Sequence, residues 1–236
     1  MAWLARPALL LFAALPALAQ SPNPNGDEIL ARVDRLRHPW PAFQVDLTVT
    51  DAKTAQRWRV SARENGDARL DGLSAKEKGR SVLMLGDAMW LLLPGSKRPL
   101  KVTPQQRLMG SAAGGDVART RFGKDYLVQN LKDEDLEDRP CWRLELSART
   151  PGLSARTVTL WVAKDRMLPL KAEFHHASGK LARTARFGPP TLAAGQLVLS
   201  SMELVEPGGV KVDLAFNGWV KGGVDAERFE LPGSAR

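Results

Sequence analysis

Apolar and polar positions alternate with a period of two along much of the chain. Phe43, Val45, Leu47 and Val49 are interleaved with Gln44, Asp46, Thr48 and Thr50, and Trp58, Val60 and Ala62 with Arg57, Arg59, Ser61 and Arg63. This pattern predicts antiparallel strands with one face covered. Further strand-like runs are Ala68–Leu70, Leu100–Thr103, Tyr126–Asp138, Cys141–Ala148, Thr157–Ala163, Leu168–His176, Leu181–Phe187, Val198–Val205 and Val210–Val220. Turn residues separate them, among them Asn65-Gly66-Asp67, Ser178-Gly179 and Pro207-Gly208-Gly209. Val82–Leu85 and Ala88–Leu93 flank Gly86-Asp87 and read as a central hairpin. Its second run is unbroken apolar sequence, which predicts cover on both faces of the sheet.

A different period appears once, in the segment EILARVDRLR. Ile29, Leu30, Val33 and Leu36 form one apolar stripe, and Asn25 or Asp27 is placed to cap the helix. Asp27 and Glu28 begin it, Arg35 and Arg37 end it, and His38-Pro39-Trp40-Pro41 stops it. About ten to eleven strands and one clear helix give a mainly β domain, and that helix must cover a sheet face. Ala226-Glu227-Arg228-Phe229 closes the chain, with Phe229 expected to tuck against the core.

The first residues change the expected location. Arg6, the apolar Ala8–Leu15 and Ala17-Leu18-Ala19 read as the three parts of a secretory signal peptide over 1–19. Cleavage there leaves one domain, 20–236, beginning at Gln20. With no cysteine at that position, the product is expected to be soluble in the periplasm and not itself lipidated. Losing Arg6 lowers the formal net charge from +8 to +7. The export signal argues against nucleic acid as the partner of this positive charge and points to anionic lipid headgroups. The one cysteine, Cys141, permits no internal disulfide and reads as a small buried residue.

Catalytic constellations are missing. There is no HExxH, Cys-x-x-Cys, G-x-S-x-G or P-loop pattern. His175 and His176 are adjacent on a predicted strand and point to opposite faces. The acidic run around Asp133, Glu134, Asp135, Glu137 and Asp138 reads as a solvated hairpin tip without ligand spacing. The expectation is a binding protein, not an enzyme, with no metal or cofactor.

Three stretches carry a family resemblance. The first is Met89-Trp90, Leu92, Pro94, Lys97-Arg98 and Met109-Gly110-Ser111. The second is Leu160-Trp161-Val162 with Lys164-Asp165, Pro169-Leu170-Lys171 and Gly179-Lys180. The third is Arg139-Pro140-Cys141-Trp142. In this order they resemble the periplasmic outer-membrane lipoprotein-sorting proteins, the LolA/RseB-like group. The family's aromatic and acidic residues after Met-Gly-Ser are replaced here by Ala112-Ala113-Gly114-Gly115.

The resemblance implies a single curved antiparallel sheet, an incomplete, half-open barrel plugged by the N-terminal helix and a short lid. It also implies that acyl chains of lipid or lipoprotein bind in the hollow. The candidate wall is Val45, Leu47, Val60, Trp90, Leu92, Leu144, Leu146, Val158, Leu160, Phe174 and Leu199, residues that equally suit a filled core. Ile29, Leu30, Val33 and Leu36 with Met109 and Gly110 form the candidate lid, the flap running from Arg107 to Lys124. Lys97, Arg98, Lys101 and Arg107 form a candidate basic rim for transient contact with a membrane surface. The expected role is a monomeric carrier between an inner-membrane transporter and an outer-membrane acceptor. The alternative is a lipid- or lipoprotein-sensing module that regulates a membrane partner.

Overall fold

The computed structural model describes residues 24–96, 98–103 and 120–232. Helix α1, Gly26–Arg37, begins with a reciprocal cap. The Asn25 side chain accepts from the Glu28 N–H at 2.9 Å, and the Glu28 carboxylate accepts from the Asn25 N–H at 2.9 Å. Two donors at the helix start are thereby satisfied.

Fifteen strands follow among the described residues. They are β1 (Ala42–Thr50), β2 (Ala55–Arg63), β3 (Ala68–Gly72), β4 (Ser81–Leu85), β5 (Ala88–Leu92), β6 (Leu100–Val102), β7 (Tyr126–Leu136) and β8 (Arg139–Ala148). After these come β9 (Thr157–Ala163), β10 (Leu168–His175), β11 (Leu181–Phe187), β12 (Pro190–Ala193), β13 (Gln196–Leu199), β14 (Ser201–Val205) and β15 (Lys211–Lys221). A one-turn helix, α2 (Phe122–Asp125), precedes β7, and a 3-10 turn, Ala226–Phe229, follows β15.

Thirteen strands pair antiparallel in one sheet, in the order β6-β5-β4-β3-β2-β1-β15-β14-β11-β10-β9-β8-β7. The sheet is larger than the ten to eleven strands expected, and Val198–Val205 divides at Ser200 into β13 and β14. Strands β12 and β13 pair only with each other, as a separate ribbon. Strands β6 and β7 are the two edges and do not pair, so the sheet is curved but not closed. Other contacts link its two halves. Thr150 donates to Asp87 at 2.7 Å, and Arg121 and Lys124 reach carbonyls of the β2–β3 turn at Arg63, Glu64 and Asn65.

Register assigns the faces. Across β1, β2 and β3 the pairs Val45–Val60 and Leu47–Trp58, then Val60–Leu70, point to one side. They share one buried cluster with Leu144, Leu146, Val158, Leu160 and Phe174 from the other half. Into this concave face α1 sets Ile29, Leu30 and Val33, all fully buried. The approach at the helix start is close, for a Cβ on Gly26 would lie 2.8 Å from the Val128 side chain of β7.

The central hairpin departs from expectation. Met84 pairs with Met89, and both belong to the concave cluster. Leu83 pairs with Trp90, so successive residues place Trp90 and Leu92 on the convex face. Leu83 is buried there, whereas Trp90 and Leu92 are only half-buried. Phe229 is buried against the sheet, as expected. It lies outside the concave cluster, under the Arg63 guanidinium at 5.0 Å, and its 3-10 turn contacts β3 and β4. Cover on the convex side therefore centres on β3 and β4, short of β5.

Polar contacts clamp that closing turn to the sheet. Asp71 accepts from Arg69 at 2.8 Å, from Ser81 at 2.7 Å and from Arg228, while Arg69 donates to the Arg228 carbonyl at 3.0 Å. Burial pushes the Asp71 carboxyl up, but the hydrogen bonds from Ser81 and Arg69 and the Arg69 charge outweigh it. The net position is below the ordinary carboxylate value.

The face assignment predicts unequal costs. Leu47→Ala should lower the unfolding free energy by about 2–5 kcal/mol, and Trp90→Ala by less than half of that. Denaturant titration with an unchanged m-value measures both. A Trp90→Ala cost equal to that of Leu47→Ala would put the two residues on the same face.

Candidate functional site: an apolar pocket on the concave face

The concave face is filled unequally. Under α1 and α2 it is occupied by buried side chains. Phe122 of α2 is fully buried, stacked on Phe174 at 6.4 Å between ring centres and capped by the Arg37 guanidinium at 5.2 Å. Leu144, Leu146, Val158, Leu160 and Phe174, proposed from sequence as cavity wall, lie in this packed half. Val45 and Val60 line a void of only about 20 Å³ beneath Trp219. Leu199 is buried as well, but it comes from the β12–β13 ribbon, which packs on α1, and not from the sheet.

Open space remains at the β6 edge. A pocket of about 170 Å³ is lined by Leu47, Trp58, Leu70, Met89, Leu91 and Val102, with Gln56, Glu77 and Arg80 as polar groups on its boundary. Glu77 and Arg80 pair at 3.1 Å, so one side of the wall carries a neutralised charge pair. Gly72 is required there, since a Cβ would meet the Glu77 carbonyl oxygen at 2.1 Å. Of the wall residues proposed from sequence, Leu47 alone lines this pocket. Trp90 and Leu92 stand on the convex face behind it, a correction that follows from the hairpin register. The apolar residues missed are Val49, Trp58, Leu70, Val82, Met89, Leu91 and Val102. Trp58 and Leu70 were visible in the alternation of their strands. Met89 and Leu91 were not, because both alternating sets of that hairpin are apolar.

The lid stripe is split. Ile29, Leu30 and Val33 face the core, whereas Leu36, near the end of α1, is buried outside the main cluster. Asp34 on the next face of α1 binds α2. Its two carboxylate oxygens accept from the Phe122 N–H at 2.7 Å and the Gly123 N–H at 2.8 Å. Burial raises its pKa to about 6, against the lowering effect of those hydrogen bonds and of Arg37, with a further rise from Asp125. The plug helix and the turn leading into β7 are thus joined through one titratable group.

Met109 and Gly110 of the lid and Lys97 and Arg107 of the basic rim lie outside the described residues, as do residues 1–19. Arg98 and Lys101 are exposed beside β6. Cys141 is buried on the convex face, its thiol pushed up by burial and donating to the Arg139 carbonyl at 3.2 Å. Among the described residues no group of His, Cys, Asp and Glu is arranged to hold a metal ion. No helix among them is long and apolar enough to cross a membrane.

An edge-open curved sheet with a helix in its concavity is an architecture shared with known structures. A family model described as "Uncharacterized protein" matches residues 73–208. The LolA superfamily protein from Nitrosomonas europaea superposes with a TM-score of 0.76 at 27% identity, over 86% of this chain and 96% of that one. The chain belongs to the LolA-like family. Two further structures share the fold. A domain named for outer membrane lipoprotein sorting, from Vibrio parahaemolyticus, has a TM-score of 0.69 at 18% identity, over 85% of this chain and 94% of that one. A DUF1329 family protein from Desulfovibrio piger has a TM-score of 0.68 at 16% identity, over 87% and 95%. No curated protein matches the sequence. Within the LolA-like fold, this chain has an apolar pocket at the β6 side of its concave face and packs α1 and α2 on the β7–β11 side.

The Asp34 linkage has a defined sign. The folded protein takes up a proton near pH 6, before the unfolded chain does so near 3.8. Stability therefore rises as pH falls from 6 towards 4 and is flat above 6. The gain should be about 1–3 kcal/mol. Asp34→Asn should abolish that slope in denaturant titrations across the same window. A slope that persists in the variant would assign it to another group.

Proposed function

We propose that the protein is a periplasmic carrier that holds acyl chains of lipid or lipoprotein by non-covalent binding and passes them towards the outer membrane. The observation that carries this reading is the apolar pocket between β1–β6 and its polar boundary, in a LolA-like fold whose concavity is otherwise stoppered by α1. Walls of Leu, Trp, Met and Val offer water few partners, so alkyl groups are favoured there. Each methylene that enters contributes roughly 0.8 kcal/mol.

The pocket is too small for a whole chain. Ligand pockets commonly span about 300–1,000 Å³, against about 170 Å³ here. A longer acyl chain extends along the concave face only if Ile29, Leu30 and Val33 withdraw. Cargo and α1 then compete for one apolar surface, and release follows when the helix returns. The reading includes cleavage of residues 1–19 and free periplasmic localisation, as well as separate donor and acceptor proteins on the two membranes.

Protein recovered from the periplasm of cells expressing the full-length gene should carry phospholipid or lipoprotein, detectable by native mass spectrometry and organic extraction. Its intact mass should begin at Gln20. Leu91→Trp, which fills the pocket from a half-buried position, should reduce binding of a fluorescent fatty acid at least tenfold while preserving the fold. Empty protein that also ignores the fatty acid would overturn the carrier reading.

A further inference from the structure

Many basic side chains around the sheet have acidic partners. Arg59 pairs with Asp46, Arg139 with Asp165, Arg143 with Glu145, Arg186 with Glu137 and Lys211 with Glu203. One cleft gathers three arginines that make no ion pair among the described residues. Arg32 and Arg35 of α1 and Arg166 of the β9–β10 turn surround a cavity of about 260 Å³ floored by Leu36 and Leu168. All three arginines are exposed, and none forms an ion pair among the described residues. The nearest acidic groups are engaged elsewhere. Asp165 holds Arg139 and accepts only the backbone N–H of Arg166, while Asp34 is turned to the α2 amides. No carboxylate lines the cleft.

The rim beside the arginines is apolar. Leu197 of β13 lines the cleft, and its cross-strand partner on the ribbon is Leu192. They are 47% and 69% exposed, Leu192 being the most exposed large apolar residue among those described. Two leucines side by side at a ribbon tip, against three exposed guanidinium groups that make no ion pair, form a small amphiphilic face. Guanidinium groups recognise phosphate oxygens in a fork geometry. Exposed leucines gain by entering the headgroup–acyl boundary of a bilayer.

We infer that this face, Arg32, Arg35 and Arg166 with Leu192 and Leu197, docks the protein on the anionic surface of a phospholipid bilayer. A headgroup phosphate sits in the arginine cleft, and the ribbon tip enters the interface. The inference goes beyond the carrier reading and does not depend on what the concave pocket holds. It places the contact on the α1 side of the molecule and not at Arg98 and Lys101 near β6. Docking there brings the membrane against the plug helix itself.

A polarity-sensitive dye at Leu192→Cys reads the contact directly, since the native Cys141 is buried. With vesicles of equal parts phosphatidylglycerol and phosphatidylcholine its emission should rise and shift to the blue. Pure phosphatidylcholine should give little change, and added salt should weaken the response. The same dye at Ala52→Cys, in the β1–β2 turn at the other end of β1, should stay unchanged. In the dye-free protein, replacing Arg32, Arg35 and Arg166 together by Gln should weaken vesicle partition about fivefold per charge, on the order of a hundredfold. Because the three side chains are exposed, thermal unfolding should be unaffected. Arg98→Gln with Lys101→Gln should leave partition nearly unchanged. Undiminished binding of the triple variant, a silent dye at position 192, or loss of binding only in the Arg98/Lys101 variant would overturn the assignment.

Discussion

A curved sheet this wide has a concave face that must be covered, and α1 is what covers it. Ile29, Leu30 and Val33 have no exposed surface, and burying each such side chain is worth about 1.5–3 kcal/mol. The helix contributes little else. Its cap and dipole charges are of the order of a kilocalorie, and twelve residues alone are marginal in water. It is helical because the sheet offers an apolar seat, and the sheet's interior is dry because the helix occupies that seat. Each element depends on one shared surface, which is why a third party with apolar surface of its own can compete for it.

The remaining features follow from how that surface is divided. On the β7–β11 side α1 is reinforced by α2 through the Asp34 carboxylate and the Phe122–Phe174 stack. On the β1–β6 side no such reinforcement among the described residues reaches the wall of Leu47, Trp58, Leu70 and Met89, and open volume is left there. The convex face solves a separate problem. Trp161 lies between the Arg143 guanidinium at 5.6 Å and the Lys171 ammonium at 4.7 Å, and its indole donates to Glu134 at 2.9 Å. The solvent side of the sheet is thus closed by amphipathic stacking, and the alternation in the strands is read as polar even where a tryptophan interrupts it.

The strands with strict alternation, β1 and β2, were legible in the sequence together with the faces they present. So were the plug helix and its buried stripe, because both periods are strong where one face is wet. The central hairpin was not. Val82, Met84, Met89 and Leu91 form one apolar set and Leu83, Trp90 and Leu92 another, and only the neighbouring strand β3 decides which points inwards. The ribbon was missed for a related reason. Pro190–Ala193 is only four residues long, and Val198–Val205 reads as one strand through the point at Ser200 where the chain leaves one sheet for another. The face on which Phe229 packs depended on tertiary contacts, the Asp71–Arg228 clamp above all, that no local pattern records.

The central claim is that α1 and an acyl chain contend for the same concave surface. Hydrogen exchange of the α1 amides, Gly26–Arg37, followed with and without a saturating long-chain fatty acid, tests it most directly. Faster exchange across α1 in the loaded protein, with β8 to β10 unchanged, is the result the account predicts. Binding of the fatty acid with α1 equally or better protected would contradict it, and would mean that the helix is a fixed part of the fold and the cargo sits elsewhere.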